Sequence, residues 1–145
     1  MVDMTAGADA FASGLFTRFD RTFIVCEPTV RAVGVYRQYL EYAADYKVAV
    51  SVVGNKVADT VDETFLRGQV GADLLACVGV SGHVRAAEQG HPGPISGLEP
   101  ANGAVLDAMC SIVDTTPRDW ARFTRQAVQF HLRNAVAWTE EDGDA

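Results

Sequence analysis

The residues best suited to chemistry lie in two short polar stretches, Asp3–Gly7 and Asn55-Lys56. An aspartate such as Asp3, placed at the end of a strand, can hold a water molecule bound to Mg²⁺, and Gly7 lets the backbone approach a phosphate. The amide of Asn55 can both donate to and accept from the edge of an adenine, while the stem of Lys56 can cover the face of a ring.

Each stretch also has a simpler interpretation. Aspartate and glycine are common turn residues, so Asp3–Gly7 can be an ordinary turn. Asn55-Lys56 can be a polar pair that ends a strand. A third polar stretch, Glu27-Pro28-Thr29, can border the same pocket or merely begin a helix. Taken alone, the residue types favour the simpler interpretation for Asp3–Gly7 and for Asn55-Lys56, and they leave both open for Glu27–Thr29.

Strand-like runs precede two of these stretches. Phe23–Cys26 is continuously apolar, as expected of a strand buried on both faces. After Pro28 and Thr29, apolar residues recur at helical spacing to about Tyr46. Val48–Val53 is again β-branched and apolar. This order predicts two parallel strands joined by a right-handed helical crossover.

The remainder of the chain continues the alternation of strands and helices. We predict a helix over Asp59–Gln69, a strand over Leu74–Val80, a short helix over Gly82–Gly90, a loop over His91–Gly97, and helices over Asn102–Val113 and Pro117–Trp138. Pro117 suits the first position of the last helix, with Thr115 or Thr116 as its cap. We expect the apolar arc of this helix to dock on the sheet, and its arginines to be solvated, namely Arg118, Arg122, Arg125 and Arg133.

The alternating pattern predicts an α/β fold: a partial, parallel open sheet with flanking helices, followed by two C-terminal helices. We expect one domain over residues 1–138 and an acidic, disordered tail over residues 139–145. In open α/β sheets, ligands bind beyond the carboxyl ends of the strands. The stretches that fall there are Asp3–Gly7, Glu27–Thr29, Asn55-Lys56 and Val80-Ser81.

Composition and charge exclude several classes of function. The net charge is −7, and this acidic balance is opposite to that of proteins that bind nucleic acid. The longest apolar runs are too short to span a bilayer, and no secretory signal opens the chain. An amphipathic last helix could lie on a membrane, but the acidic residues after it would be repelled by anionic lipid.

The cysteines and histidines give no indication of a metal site. Cys26, Cys77 and Cys110 are widely spaced and lie among apolar residues, so we interpret them as reduced core residues of a cytoplasmic protein. The three histidines have no ligand spacing with one another or with a cysteine.

The order of the three polar stretches resembles a known family. Val2-Asp-Met-Thr-Ala-Gly7, then Phe23-Ile-Val-Cys-Glu-Pro-Thr29, then Val52-Val-Gly-Asn-Lys-Val57 is similar to the second half of the MinD/ParA-type P-loop ATPases, especially the CooC-like branch. The resemblance covers about residues 1–95. It implies that Asp3 orders Mg²⁺ through water, that Gly7 senses the terminal phosphate, and that Asn55 contacts adenine with Lys56 beside it. Glu27, Pro28 and Val80 would border the nucleotide, although Gly79-Val80-Ser81 lacks the family's proline.

The family's phosphate loop, Gly-Lys-Gly-Gly-x-Gly-Lys-Thr/Ser, does not occur in the printed sequence. Its switch I aspartate and its metal-binding cysteine pair are missing too. The resemblance therefore implies the C-terminal half of a P-loop ATPase, inactive alone. It would use ATP and Mg²⁺ only when an N-terminal half is supplied, and its partner would be that half or a second copy. The alternative is a non-enzymatic α/β module that pairs its exposed sheet edge with another chain.

Overall fold

Three parallel strands form an open sheet in the order β1-β2-β3, with β1 at Arg21–Cys26, β2 at Ala49–Gly54 and β3 at Leu74–Cys77. The structure is a computed structural model that describes residues 14–46 and 48–141. β2 and β3 pair in parallel, with Val53 opposite Ala76 and Gly54 opposite Cys77. The predicted α/β fold with an open parallel sheet and two C-terminal helices is confirmed. The third strand is shorter than predicted, because it ends at Cys77 instead of Val80.

Five helices accompany the sheet in the described part of the chain. They are α1 at Val30–Ala43, α2 at Thr60–Val70, α3 at Gly82–Glu88, α4 at Pro100–Thr115 and α5 at Trp120–Glu141. Short 3-10 turns lie at Leu15–Arg18, Gly71–Asp73 and Ile95–Gly97. The helix predicted over Asp59–Gln69 is confirmed, and Asp59 caps it by accepting from the backbone N–H groups of Val61 and Asp62 at 2.8 and 3.1 Å.

The predicted start of the last helix is wrong. α5 begins at Trp120, and the carboxylate of Asp119 accepts from the backbone N–H of Arg122 at 2.8 Å, so an aspartate caps the helix. Thr115 and Thr116 instead end α4, where both hydroxyls donate to the Ile112 carbonyl. At its other end α5 continues through Glu141. The acidic, disordered tail over residues 139–145 stays a prediction.

Residue contacts group the chain into two compact units that interleave along the sequence. One unit combines the described parts of Met1–Thr22, Arg37–Ala49 and Pro117–Ala145; the other combines Phe23–Tyr36 and Val50–Thr116. The second unit contains most of the sheet. Its buried side chains come from strands and helices alike and include Ile24, Val33, Val52, Leu66 and Val105. The prediction of a single domain stays a prediction.

The first unit has an aromatic core. The Phe16 ring is fully buried and lies edge-on to Tyr39, Tyr46 and Phe130, with centroid distances of 5.8, 5.5 and 6.1 Å. Phe130 belongs to α5, so this helix docks on the 3-10 turn Leu15–Arg18. No helix in the described part of the chain is long and apolar enough to cross a bilayer.

Three expectations about burial are wrong. Val25 is 64% exposed, so β1 is not buried on both faces. Cys110 is exposed on α4, whereas Cys26 is buried and Cys77 is half-buried. Arg122, predicted to be solvated, is only 13% exposed, because its guanidinium donates to the Phe19 carbonyl at 3.1 Å and the Asp20 carboxylate at 2.9 Å. Local helical periodicity cannot distinguish a solvated arginine from one that binds a preceding turn.

Candidate functional site

The carboxyl ends of the three strands meet in one hydrogen-bonded surface, which we call the rim: residues 27–29, 55–57 and 78–81. The Asn55 backbone N–H donates to the Cys26 carbonyl at 2.9 Å, which joins the ends of β1 and β2. The Val78 N–H donates to Gly54 at 2.8 Å, and the Val57 N–H donates back to Val78 at 3.1 Å. The strand ladder therefore continues past the strands and fixes Asn55 at the middle of the rim.

Gly54, at the end of β2, allows the backbone to lie close to the Cys77 and Leu66 side chains. A Cβ at this position would lie 2.7 Å from the Cys77 sulfur and 2.8 Å from a Leu66 methyl carbon. Two positions later Lys56 has φ of 55°, in the left-handed region that non-glycine residues seldom occupy. This strained turn directs the chain from β2 across the rim toward α2.

Lys56 and Glu27 form an ion pair across the rim. The Lys56 ammonium donates to the Glu27 carboxylate at 2.7 Å, although both side chains are substantially exposed. The hydrogen bond and the charge of Glu27 raise the pKa of Lys56. Since the pair is solvated, it contributes little to folding. Its consequence is local: the lysine charge is partly neutralised by a neighbour on the same surface.

Glu27-Pro28-Thr29 begins a helix, as one of its two interpretations predicts, and its role beside a nucleotide stays a prediction. The Thr29 hydroxyl accepts from the Ala32 N–H at 3.2 Å and so caps α1, which begins at Val30. The Thr29 N–H also donates to the Glu27 carbonyl at 2.7 Å, which makes a tight turn between strand and helix. The segment thus starts a helix and holds Glu27 against Lys56.

The Asn55 side chain is half-buried and makes no hydrogen bond to any other described residue. An amide carries two donor hydrogens and one acceptor oxygen. Asn55 therefore offers a donor and an acceptor, on a fixed backbone, to whatever approaches the middle of the rim.

Two residues outside the three polar stretches, Glu99 and Asn102, anchor the third segment of the rim. The Glu99 carboxylate accepts from the Ser81 hydroxyl at 2.7 Å and from the Gly82 N–H at 2.9 Å. Asn102 accepts from the Gly79 N–H at 3.1 Å and donates to Glu99 at 3.2 Å. The sequence signal that points to Glu99 is the proline that follows it, Pro100, because proline favours the first position of a helix and so marks Glu99 as the residue before it.

Hydrogen bonds lower the pKa of Glu99 to about 2, with the Ser81 hydroxyl as the largest cause and the backbone N–H groups of Glu99, His83 and Gly82 as further causes. The ionised carboxylate therefore fixes the segment that follows β3. Val80, which lies within it, is 67% exposed. Val80 is thus an apolar surface on the rim and not part of a closed wall.

The loop that follows α3 folds back over His83. A Cβ at Gly97 would lie 3.0 Å from His83 Nδ1, and one at Gly93 would lie 3.1 Å from the His83 ring. Both glycines therefore give the ring its space. The predicted loop over residues 91–97 is largely confirmed, with a 3-10 turn at Ile95–Gly97.

The structure brings Glu27, Pro28, Asn55, Lys56 and Val80 to one surface. Asp3 and Gly7, the predicted Mg²⁺ and phosphate residues, lie outside the described residues. Within the described ranges, no group of three or more His, Cys, Asp and Glu side chains is arranged to hold a metal ion. The rim therefore offers hydrogen bonding, a charged pair and an apolar surface, which are means of binding.

No protein family, curated protein or solved structure matched this chain when it was compared with them.

Proposed function

We propose that this chain supplies the base-binding side of an ATP site in an α/β domain of the MinD/ParA type, nearest to the CooC-like ATPases. The adenine would be bound at the rim, and the phosphates would be bound by a segment that the printed sequence does not contain. On this proposal the chain binds a nucleotide base weakly and does not hydrolyse ATP alone.

The observation that carries the proposal is the Asn55 amide. It is half-buried, it has no hydrogen-bonding partner among the described residues, and its backbone is fixed by the Cys26 carbonyl. An adenine edge presents one donor and one acceptor side by side, which a single amide can satisfy. An unused polar group at the carboxyl ends of parallel strands is the expected location for such recognition.

The ion pair argues for base binding over phosphate binding. Because Glu27 accepts from the Lys56 ammonium at 2.7 Å, this lysine is not an unpaired cation for a phosphate. Its stem can still cover the face of a base. A phosphate loop normally supplies three or four charged hydrogen bonds, so its absence costs about 4 kcal/mol or more, roughly a thousandfold in affinity.

Mg²⁺ would enter the site with the phosphates. Asp3 would orient it through water, as the resemblance implies, and the Mg²⁺ would neutralise phosphate charge. The described residues of the rim do not include Asp3, so on this proposal they contact only the base.

Titration of the purified chain with adenosine, AMP and Mg-ATP tests the proposal. We expect all three to shift the Asn55 side-chain amide in NMR spectra with similar affinities of roughly 1 mM or weaker, because none gains from phosphate contacts. Asn55→Ala should abolish saturable shifts on the rim. Gln89→Ala, which removes an exposed amide at the end of α3, should leave them unchanged.

Two results would count against the proposal. Micromolar binding of Mg-ATP would show that the chain binds phosphate by itself. A titration that shifts no resonance of the rim would show that the rim does not bind a base. The gene sequence upstream of Met1 is a separate test. An in-frame extension that encodes a phosphate loop would supply the missing segment directly.

A second candidate is a partner module that pairs through β1. Within the described sheet β1 is an outer strand, and Val25 on it is 64% exposed. Outer strands with apolar side chains favour pairing with another chain. Hydrogen exchange distinguishes the candidates. If the β1 amides exchange more slowly as the protein concentration rises, and adenosine has no effect on their exchange, the partner module is favoured.

A further inference from the structure

The rim contains a single pair of charged side chains. Among its residues, all of which the structure describes, Glu27 is the one acid and Lys56 is the one base, and the two meet at 2.7 Å. Their neighbours in sequence, Cys26 and Asn55, are joined by the backbone hydrogen bond that links the ends of β1 and β2. The pair therefore lies beside the Asn55 backbone, and the charges of the rim side chains sum to zero.

Stability does not account for this pair. Lys56 has φ of 55° and is the one non-glycine residue in the described part of the chain with a positive φ. A left-handed conformation costs a residue with a Cβ more than an exposed ion pair returns. Glycine at position 56 would adopt the same turn without this cost. Backbone strain that local contacts do not offset is typical of functional positions, so the role of the pair lies at the surface of the rim.

The charge of Lys56 bears on how a nucleotide is oriented. An unpaired cation beside Asn55 would attract phosphate, so a nucleotide would also bind in reverse, with its phosphates at the rim and its base elsewhere. Glu27 opposes this, because a carboxylate at 2.7 Å from the ammonium offsets most of its attraction for a second anion. The hydrogen bond to Glu27 and the charges of Glu27 and Glu88 raise the pKa of Lys56, so the lysine stays charged at neutral pH.

We propose that Glu27 sets the charge selectivity of the rim: by neutralising Lys56 it lets the rim accept a base and gives a phosphate no advantage at the same place. This inference rests on the proposed function, since it concerns the surface that would bind the base. It goes further by assigning the orientation of the nucleotide to one carboxylate. Removal of that carboxylate converts a surface that does not distinguish adenosine from AMP into one that prefers AMP.

NMR titration of the full chain with adenosine and with AMP, in about 10 mM salt, tests this role, because the Debye length is then about 30 Å. The measured quantity is the ratio of the two dissociation constants, which a general loss of binding would not change. We expect equal constants in the unaltered chain, and AMP binding tighter than adenosine binding by roughly two- to fivefold in Glu27→Gln. Lys56→Gln leaves Glu27 unpaired and should favour adenosine to a similar extent. Both preferences should disappear in about 0.5 M salt.

Glu63→Gln is the matched control. Glu63 and Arg67 form an ion pair of the same length, 2.7 Å, but on α2 and outside the rim. The arginine and glutamate are 61% and 45% exposed, against 62% and 44% for the lysine and glutamate of the rim. Glu63→Gln should therefore keep the ratio of the unaltered chain. Equal ratios in Glu27→Gln and the unaltered chain, or an equal change in Glu63→Gln, would overturn the proposal.

Pyrophosphate separates this inference from the proposed function. If adenosine binds but Glu27→Gln does not change the ratio, the base site stands and the role of Glu27 is wrong. If adenosine shifts no resonance of the rim, the base site is wrong, and pyrophosphate alone then tests Glu27. It should shift the amides of the rim more in Glu27→Gln than in the unaltered chain at low salt, and equal shifts would overturn the proposal.

Discussion

Gly54→Ala is the substitution for which the structure gives the sharpest expectation. The added methyl would lie 2.7 Å from the Cys77 sulfur and 2.8 Å from a Leu66 methyl carbon, and 3.2 Å from a Val57 methyl carbon. Favourable contacts begin at about 3.5 Å, so the methyl would be too close to these two atoms by about 0.7–0.8 Å. Leu66 is fully buried and cannot move outward. We therefore expect a loss of about 1–3 kcal/mol in the free energy of unfolding.

Urea unfolding measures this loss. With a slope of about 2 kcal/mol per molar, a loss of about 2 kcal/mol lowers the midpoint by roughly 1 M. Gly68→Ala is the control, because Gly68 is exposed inside α2 and a Cβ there meets nothing within 4 Å. This variant should gain about 0.5–1 kcal/mol, since alanine favours a helix more than glycine does.

A double variant isolates the cause. Cys77→Ala removes the sulfur that gives the shorter of the two contacts, so Gly54→Ala should cost less in that background than in the unaltered chain. If Gly54→Ala left the urea midpoint unchanged, the close packing at the end of β2 would not be what requires glycine. If Cys77→Ala gave no relief, the contact with Leu66 alone would account for the requirement.

Three further outcomes follow from the described contacts. Glu99→Gln should destabilise the chain near neutral pH, and the difference from the unaltered chain should shrink as the pH falls from about 4.5 toward 2. The reason is that the folded-state pKa of Glu99 is lowered to about 2. The ionised carboxylate therefore stabilises the fold above the unfolded-state pKa, and this stabilisation is lost when Glu99 is protonated. Urea unfolding at several pH values measures the difference. Tyr36→Phe removes a hydrogen bond of 2.7 Å to Asp73 and should cost about 0.5–1.5 kcal/mol at neutral pH. Because burial and Asp73 raise the pKa of Tyr36 to about 12, the unaltered chain should also lose stability as the pH rises above about 10, and Tyr36→Phe should lose less over that range. Thiol labelling of the native chain should modify Cys110 first and Cys26 only on unfolding, since Cys110 is exposed and Cys26 is buried; rapid labelling of Cys26, read by mass spectrometry of peptides, would contradict its placement.

Much of the fold follows from local patterns. The β-branched runs after residue 20 and after residue 47 predict β1 and β2, and the polar residues that follow each run mark its end. Asp59 before an apolar helical pattern predicts the start of α2. These features depend on residues within one or two turns of each other, so the sequence alone specifies them.

The candidate site could be predicted only in part. Asn55, Lys56 and Glu27 follow strand ends, and the carboxyl ends of parallel strands share one edge, so their proximity was predictable. The Glu27–Lys56 ion pair depends on the left-handed turn at Lys56, and the role of Glu99 depends on contacts with Ser81 and Gly82 far away in the chain. Periodicity carries no information about such pairings.

The sequence by itself determined which segments form strands and helices, because backbone preference and hydrophobic spacing act locally. It also placed the polar residues at the carboxyl ends of the strands. Only the tertiary structure decided which sides of these elements are covered. Val25 and Val128 are as apolar as Val52, yet they are exposed, since burial depends on what packs against a residue and not on its type. The burial of Arg122 is likewise decided by its contacts. Its guanidinium donates to the Asp20 carboxylate and the Phe19 carbonyl, which precede β1.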